Sequence, residues 1–482
     1  MKRLVLPMLI AIPATLAFAD VIGQVHPFTS PGGVTERCVQ VDPIPGVTLN
    51  KKDLESEADL CNINVYSEDV AMCPKEKSTS PGTYIYSTQI PNGAKLTQAQ
   101  FEATRCSPSL ADANKKLAKF KNTMNSKDTS GTYSQASLLY YQLSRYFDTD
   151  VDVAVSVYRS IDKNEHYKRV SVHAPGVGGM NIAGWGVERA AEQNPNTYTP
   201  VRDLFTPDLK QIYGVLIVGH SGTRYGAEIN GIRSSWGIGQ NNDFQATPAY
   251  TALRTDAPFA QAVTTGLGAA HANARMAGDV GTLPISSVQM GIWMKQLTEI
   301  TLLDYMFNQQ DRIGNINYDW AWAYMNNGHW DFEKEKRDEY KDLARNKMSP
   351  GLTPPDDIAQ FKPFLVQTSK IYDNDAGGNP RYANFTARTT MLEKIRHYDL
   401  ATYRKLIKLN IDLQRKGPIF QHLRDKLNIT DHDLAMVVAN TGKAAGILTA
   451  SCRSGHLHFD LNLDRIVAGQ PSEDKVADCT NP

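Results

Sequence analysis

The longest regular pattern of apolar positions in the chain lies in residues 290–307. Apolar side chains recur there at three- and four-residue steps, the spacing of one face of an α-helix, and Lys295, Gln296 and Glu299 fall on the other face. The pattern predicts a half-buried helix. The polar residues 308–315 follow it and contain a glycine, so we expect a turn at the end of the helix.

Shorter patterns predict the remaining elements. Strands are indicated where apolar and polar residues alternate or where a short apolar run is bounded by turn residues, and helices where the period is near 3.6. On this basis we predict strands at 83–88, 117–121, 150–161, 212–218 and 361–372, helices at 134–147 and 331–347, and a mostly helical tail at 384–469. Mixed elements of this kind predict an α+β fold.

Charge and length exclude some classes of function. The 482 residues carry 51 basic and 51 acidic side chains, so no net field attracts nucleic acid or anionic lipid.

Lys2 and Arg3 precede the apolar run 4–16 and the small residues Ala17 and Ala19, which predicts a cleaved signal peptide at residues 1–19. No later run is long enough for a membrane helix, so we expect a secreted or periplasmic protein without stable membrane insertion.

The cysteine count agrees with export. Six cysteines in an exported chain favour three disulfides, and none has the spacing of a metal site. Four of them lie in the first quarter of the chain and the other two near its end. We therefore expect two bridges among Cys38, Cys61, Cys73 and Cys106, and a third between Cys452 and Cys479.

The turn after the long helix carries candidate chemistry. Asp311 is a carboxylate, and Asn315 follows it with an amide oxygen. Phosphoryl transfer needs one group to accept the hydroxyl proton and another to hold a divalent cation. A strand lysine that faces a cleft can hold nucleotide phosphates, and residues 117–121 contain Lys119 and Lys121.

Three segments in this order resemble the secretory-pathway kinases related to the Golgi casein kinase, and more distantly the HipA-type and phosphoinositide kinases. YYQLSRYFDTDVDVAVSVYRS is similar to the helix-to-strand segment of that family, ITLLDYMFNQQDRIGN to its helix and catalytic loop, and KIYDNDAGG to its metal-binding strand end. Together they cover about a third of the chain.

The resemblance implies a two-lobed atypical protein-kinase-like fold, with a small sheet-plus-helix lobe and a mostly helical large lobe. We predict a disulfide-braced extension at 20–113, the small lobe at 114–175, an insertion or lobe-linking region at 176–285 and the large lobe at 286–482. A long stretch separates Asp311 from the strand end, so residues 319–363 are also predicted to be an insertion.

The resemblance further implies the role of each site residue. Asp311 is the catalytic base, Lys121 binds phosphate with Lys119 as the fallback, and Asp373, Asn315 and Asp375 form the metal site. The expected cofactor is Mg²⁺ or Mn²⁺, with ATP as co-substrate. A hydroxyl on a protein or a glycan is the acceptor.

Two observations keep alternatives open. The kinase family carries a glutamate on the helix after the lysine strand, but residues 134–147 contain none; Ser137 falls near that position, and Gln135 or Gln142 are weak substitutes. The chain could then be a catalytically inactive kinase-fold binding protein. The second alternative is an α/β-hydrolase-like serine esterase, because a strand leads into Gly219-His220-Ser221-Gly222, with Asp373 and His456 or His458 downstream.

Overall fold

The computed structural model describes residues 21–481 except 77, 91–92, 94, 107–114, 127–128, 175–178, 219–222, 232–235, 273–284 and 338–352. Its strands are β1 Gly23–Thr29, β2 Thr35–Val41, β3 Val70–Pro74, β4 Thr83–Ser87, β5 Lys116–Asn122, β6 Asp152–Val153, β7 Ser156–Asp162, β8 Gln211–Val218, β9 Thr223–Arg224, β10 Ile316–Asn326, β11 His329–Lys334 and β12 Phe364–Ile371.

The α-helices are α1 Lys51–Cys61, α2 Gln98–Arg105, α3 Gln135–Phe147, α4 Lys163–Arg169, α5 Gly179–Gln193, α6 Ala227–Asn230, α7 Ile238–Phe244, α8 Pro248–Leu253, α9 Phe259–Ala272, α10 Ser287–Met306, α11 Phe385–Arg388, α12 Leu400–Gln414, α13 Pro418–Asp425, α14 Asp431–Arg453 and α15 Leu463–Val467. Helices dominate the second half of the chain and a large sheet dominates the first. The predicted α+β class and its division into a sheet-rich and a mostly helical lobe are confirmed.

A seven-stranded antiparallel sheet forms the small lobe, with strand order β1-β2-β7-β8-β5-β4-β3. Its central strands β7 and β8 are almost wholly buried, which fits the short apolar run of β8. The sheet is continuous from β1 to β8, so strands on both sides of residue 114 belong to it. The domain boundaries drawn from the sequence stay a prediction.

A second sheet, of order β11-β10-β12-β6, lies in the large lobe, and β9 also pairs with β10. Ile316 at the start of β10 pairs with Ile371 at the end of β12. The turn before β10 and the segment after β12 therefore lie at the same end of the sheet. This pairing brings residues 308–315 next to residues 373–378, although β11 and the 335–363 stretch separate them in sequence.

Helix α10 is more buried than its pattern predicts. Lys295, Gln296 and Glu299 were expected to face away from the core, but each is buried, and the prediction of a half-buried helix is wrong. Glu299 accepts hydrogen bonds from the backbone N–H groups of Asp150 and Val151 at 3.1 and 2.9 Å. The polar face of the helix is thus satisfied by protein groups instead of by solvent.

The polar face of α10 also holds neighbouring elements in place. Lys295 lies 2.9 Å from Glu299 and 3.3 Å from Asp399, the N-cap of α12. Gln296 accepts a hydrogen bond from the N–H of Ser369 in β12 at 2.8 Å. The helix is therefore a central element that connects β12 and α12.

Other predicted elements differ in outcome. The helix at 134–147 and the strands at 83–88, 117–121, 212–218 and 361–372 are confirmed within a few residues by α3, β4, β5, β8 and β12. The single strand at 150–161 is wrong, because the chain leaves β6 in one sheet and enters β7 in the other. The helix at 331–347 is wrong at its start, where β11 pairs with β10; residues 338–347 lie outside the described part.

The predicted bridge between Cys452 and Cys479 and the two predicted bridges among the first four cysteines are confirmed. The sequence left the pairing of those four open, and the structure joins Cys38 to Cys61 and Cys73 to Cys106. The three disulfides fit a protein of an oxidising compartment. The predicted signal peptide lies outside the described residues. Within the described part of the chain, no helix combines the length and the apolar character that a membrane span requires.

We predict that replacing Cys452 and Cys479 together by serine lowers the free energy of unfolding by about 3 to 4 kcal/mol, the value expected for a loop of this size. The bridge closes a sequence separation of 27 residues and ties the C-terminal tail to the end of α14. Urea unfolding followed by circular dichroism measures the change. Ser454→Ala, an exposed change beside the bridge, is the control, and equal stability of the two variants would contradict the prediction.

Candidate functional site

Strand β5 presents two lysines on one face. Successive side chains of a strand point to opposite faces, so Lys119 and Lys121 share a face while Phe120 between them packs in the core. The side chain of Lys121 is 3% exposed and that of Lys119 is 14% exposed. A buried ammonium group needs a compensating charge.

The segment after β12 supplies that charge. Lys121 Nζ donates to Oδ1 of Asp373 at 2.9 Å and also to Oδ1 of Asp375, and Lys119 Nζ donates to Oδ1 of Asp373 at 3.0 Å. These contacts join the small lobe to the large lobe. Four of the predicted site residues, Lys119, Lys121, Asp373 and Asp375, are therefore brought together in one ionic cluster.

The charges of the cluster shift its titrations. Lys119 and Lys121 hold the pKa of the Asp373 carboxyl well below its usual range, against the opposing effect of burial. Burial acts to lower the pKa of Lys119, but the carboxylates of Asp373 and Asp375 raise it above the usual value. Lys75, directly after β3, completes the group: burial and the charge of Lys119 hold its pKa well below the usual lysine value.

The turn after α10 packs against the segment that carries the two aspartates. The N–H of Gly378 donates to the carbonyl oxygen of Phe307 at 2.6 Å, and the N–H of Gln310 donates to that of Ala376 at 3.1 Å. Gln309 donates from Nε2 to the carbonyl oxygen of Asp373 at 3.4 Å. The turn and the strand end are thus fixed relative to each other by backbone contacts.

A buried ion pair that the sequence did not indicate fixes this turn to helix α10. Arg312 donates from Nε to both carboxylate oxygens of Asp304 in α10, at 3.1 and 3.0 Å, and from a terminal nitrogen to Oδ1 of Asn374 at 2.8 Å. Tyr140 of α3 donates to the same carboxylate at 2.7 Å. The only sequence signal was a single aspartate, Asp304, inside the apolar run 302–307, which is not specific.

Asp311 and Asn315 lie together in the turn. Asn315 donates from Nδ2 to the carbonyl oxygen of Asp311 at 2.7 Å and to its carboxylate at 3.3 Å. The amide oxygen of Asn315 accepts a hydrogen bond from Arg224 of β9 at 3.0 Å. Asn315 therefore orients Asp311, and its own oxygen is engaged by a guanidinium.

The helix after the lysine strand contributes no carboxylate to the cluster. Gln135 bonds to Ser134, Thr123 and Tyr213, and Gln142 accepts from the N–H of Ile44 at 3.1 Å. Among the described hydrogen bonds, neither glutamine contacts Lys121. Lys121 forms its ion pairs with Asp373 and Asp375 of the other lobe instead.

The residues of the hydrolase alternative are not assembled in the described structure. Ser221 lies outside the described residues. His456 and His458 both contact Asp256, with Nδ1 of His456 2.5 Å and Nε2 of His458 3.0 Å from its carboxylate oxygens. Asp373, the predicted acid of that alternative, is engaged by lysines instead.

A cavity of about 380 Å³ lies between the two lobes on the side of α3. Tyr158 and Tyr213 line it from the small lobe, and Arg381 and Asp433 from the large lobe. None of the six predicted site residues lines this cavity. Tyr133, which does line it, donates from its N–H to the carbonyl oxygen of Asp375 at 2.7 Å, so the cavity borders the ionic cluster without including its side chains.

The donor chemistry of the cluster fits a nucleotide with a hard cation. Of the carboxylate oxygens of Asp373 and Asp375, the described hydrogen bonds use only Oδ1 of each. Carboxylate oxygens are the ligands that Mg²⁺ and Mn²⁺ prefer. Lys119 and Lys121 are cations next to those carboxylates, and lysine is a common phosphate binder.

Comparison with solved structures finds distant likenesses, of which one is a kinase. The chain superposes on a crystal structure of the Golgi casein kinase with Mn and ADP bound, with a TM-score of 0.36 and 9% sequence identity over 85% of this chain and 77% of that chain. No family model and no curated protein matches the chain. A likeness at this level carries no argument about function and does not assign the family that the sequence resembles.

We predict that Arg312→Ala lowers the free energy of unfolding by about 3 to 5 kcal/mol, because it leaves the carboxylate of Asp304 buried without its partner. The measurement is chemical unfolding in urea. Arg424→Ala is the matched control: its pair with Asp425 is exposed, so the loss should stay below about 1 kcal/mol. Similar losses in both variants would show that Arg312 is not a structural element of the turn.

Proposed function

We propose that the chain is a metal-dependent phosphotransferase that moves the γ-phosphoryl group of ATP to a hydroxyl acceptor. The observation that carries the proposal is the ionic cluster, in which lysines of the small lobe contact aspartates of the large lobe. Phosphoryl transfer depends mainly on positioning and on neutralising phosphate charge, and this cluster contains groups for both.

The lysines would bind the phosphates. Lys121 is the more buried of the two and contacts both aspartates, so it is the principal candidate, with Lys119 beside it. An incoming polyphosphate offers oxygens that compete with the aspartates for these ammonium groups. The ion pairs would therefore be exchanged for contacts with phosphate when the nucleotide binds.

Asp373 and Asp375 would hold the cation, Mg²⁺ or Mn²⁺. A bound cation of this kind neutralises negative charge on the phosphates of the nucleotide. The strongly lowered pKa of Asp373 supports this role, because the carboxyl group stays ionised at every physiological pH. Asn315 was predicted as a further metal-side ligand; that role would require its oxygen to leave Arg224.

Asp311 would accept the proton of the acceptor hydroxyl. Its carboxylate is only partly buried, and Asn315 donates to one of its oxygens, which restricts its orientation. A positioned carboxylate of this kind serves as a general base when it lies within hydrogen-bond reach of the hydroxyl. The acceptor class, a protein or a glycan, stays open. The disulfides support a place of action in an exported compartment.

A binding protein without catalysis is the second candidate. The observation that favours it is that Lys121 contacts Asp375 of the large lobe and no carboxylate of α3, whereas the kinases that the sequence resembles carry a glutamate on that helix. Such a protein would bind nucleotide and metal but transfer nothing. The esterase alternative has no described contact in its favour.

We predict that Asp373→Ala abolishes metal-dependent ATP binding, because the change removes the carboxylate that would hold the cation. Melting temperatures with and without ATP and Mn²⁺ provide the measurement; ligand at 100 times its dissociation constant adds about 2.7 kcal/mol to the stability of wild type. Asp356→Ala, at an exposed aspartate, is the control. A full ligand shift in Asp373→Ala would exclude Asp373 as the metal ligand.

Asp311→Asn is expected to keep ATP and metal binding near wild type and to lose phosphotransfer by roughly two to four orders of magnitude, the usual contribution of a positioned proton acceptor. Calorimetric titration of ATP with Mn²⁺ and transfer of labelled γ-phosphate to a generic acceptor protein measure the two quantities. Equal loss of both would place Asp311 in the metal shell. Wild type that binds nucleotide without transfer would favour the binding protein, and wild type that binds no nucleotide would exclude both.

A further inference from the structure

Two glutamates and one histidine lie together on the face of β5 opposite Lys119 and Lys121. Glu188 and Glu192 lie one turn apart on α5, and His166 lies on α4. All three are at most 1% exposed, and one donor atom of each lies within 4.8 Å of the others. Asn122 of β5, the residue after Lys121, donates to Glu188 at 3.1 Å. Because neighbouring strand residues point to opposite faces, this cluster is separate from the candidate nucleotide site.

The histidine is oriented for coordination through Nδ1. Its Nε2 lies 2.8 Å from the hydroxyl of Thr83, an arrangement in which the second ring nitrogen is held by a hydrogen bond. Its Nδ1 points at the two glutamates, 2.5 Å from Oε1 of Glu192 and 3.9 Å from Oε1 of Glu188. The Ser171 hydroxyl is 3.2 Å from the same nitrogen.

The glutamates retain donor capacity that the described residues do not use. Oε2 of Glu188 and Oε2 of Glu192 are both buried and have no hydrogen-bond partner among the described residues. Buried polar atoms are almost always paired, and an unpaired carboxylate oxygen is costly. Two carboxylates and one neutral imidazole carry a net charge of minus two, which a single divalent cation cancels.

We propose that His166, Glu188 and Glu192 bind a divalent transition-metal ion, with Zn²⁺ as the preferred ion. Zinc takes imidazole and carboxylate ligands with bonds of about 2.0 to 2.2 Å in four-coordinate sites. In a tetrahedral site with such bonds the donor atoms lie about 3.4 Å apart. Side-chain rotations would therefore open the 2.5 Å contact between His166 and Glu192 and close the wider separations, which reach at most 4.8 Å. The Ser171 hydroxyl or the second oxygen of a carboxylate supplies the fourth donor. Mg²⁺ fits less well, because it keeps several water ligands, which a site this buried does not offer.

Protonation of these side chains is the alternative to metal binding, because it also neutralises their charge. Burial, opposed by His166, raises the pKa of Glu188 to about 8, so a protonated Glu188 beside an imidazolium would also remove the charge. The two alternatives differ in metal content. They also differ in their response to a chelator, because a proton-filled site has no ion to lose.

The test uses the full mature protein, purified without chelators and dialysed against metal-free buffer. Elemental mass spectrometry is expected to find about one zinc per chain in wild type, and Glu192→Gln and His166→Gln should weaken zinc affinity at least about tenfold. His422→Gln, at another buried histidine, and Asp373→Ala, at the proposed nucleotide site, should keep the zinc. Loss of zinc in Asp373→Ala together with retention in Glu192→Gln would overturn the assignment.

A second measurement on wild type decides the matter if the variants do not fold. Removal of metal with a chelator should lower the melting temperature, and one equivalent of Zn²⁺, but not of Mg²⁺, should restore it. No nucleotide is present in this assay, so failure of the phosphotransferase proposal would leave its result unchanged. Folded wild type that contains no zinc and does not respond to the chelator or to added Zn²⁺ would overturn the inference.

Discussion

The burial of Lys121 is the constraint on which the arrangement of the two lobes depends. Its side chain is 3% exposed, and an uncompensated charge at such a site would be strongly destabilising. Asp373 and Asp375 supply the compensation, and they belong to the other lobe. The ion pairs of Lys121 with Asp373 and Asp375 therefore join the two lobes. The same ion pairs place the candidate phosphate-binding lysine beside the candidate metal ligands.

Buried ion pairs also fix elements of the large lobe. Arg312 with Asp304 fixes the turn that carries Asp311, and Lys295 with Glu299 and Asp399 fixes helix α10 against its neighbours. Removing one member of such a pair costs far more than the pair itself contributes, because the remaining charge stays buried. The candidate base and the candidate metal ligands thus lie on segments that buried ion pairs and hydrogen bonds hold in place, as a site for positioned chemistry requires.

Much of the local structure could be predicted because it depends on local patterns. The strand with Lys121, helix α3 and the apolar stripe of α10 follow from residue spacing. The cysteine count with its distribution predicted three bridges and the pair Cys452–Cys479, but not how the first four cysteines pair. The burial of Lys295 and Glu299 could not be predicted, since polar residues on one helix face normally indicate solvent. Only the surrounding hydrogen-bond partners, which come from distant parts of the chain, make that burial possible.

For the candidate site, the sequence by itself determined the residue types and their order: a strand lysine, a turn with Asp311 and Asn315, and a strand end with Asp373 and Asp375. Tertiary structure decided which of them meet. The pairing of β10 with β12 brings the turn to the strand end, Lys121 contacts Asp375 of the other lobe, and the faces of β5 separate the lysines from the cluster around His166. These outcomes depend on sheet register and on charge compensation between residues far apart in the chain, and no local pattern encodes either.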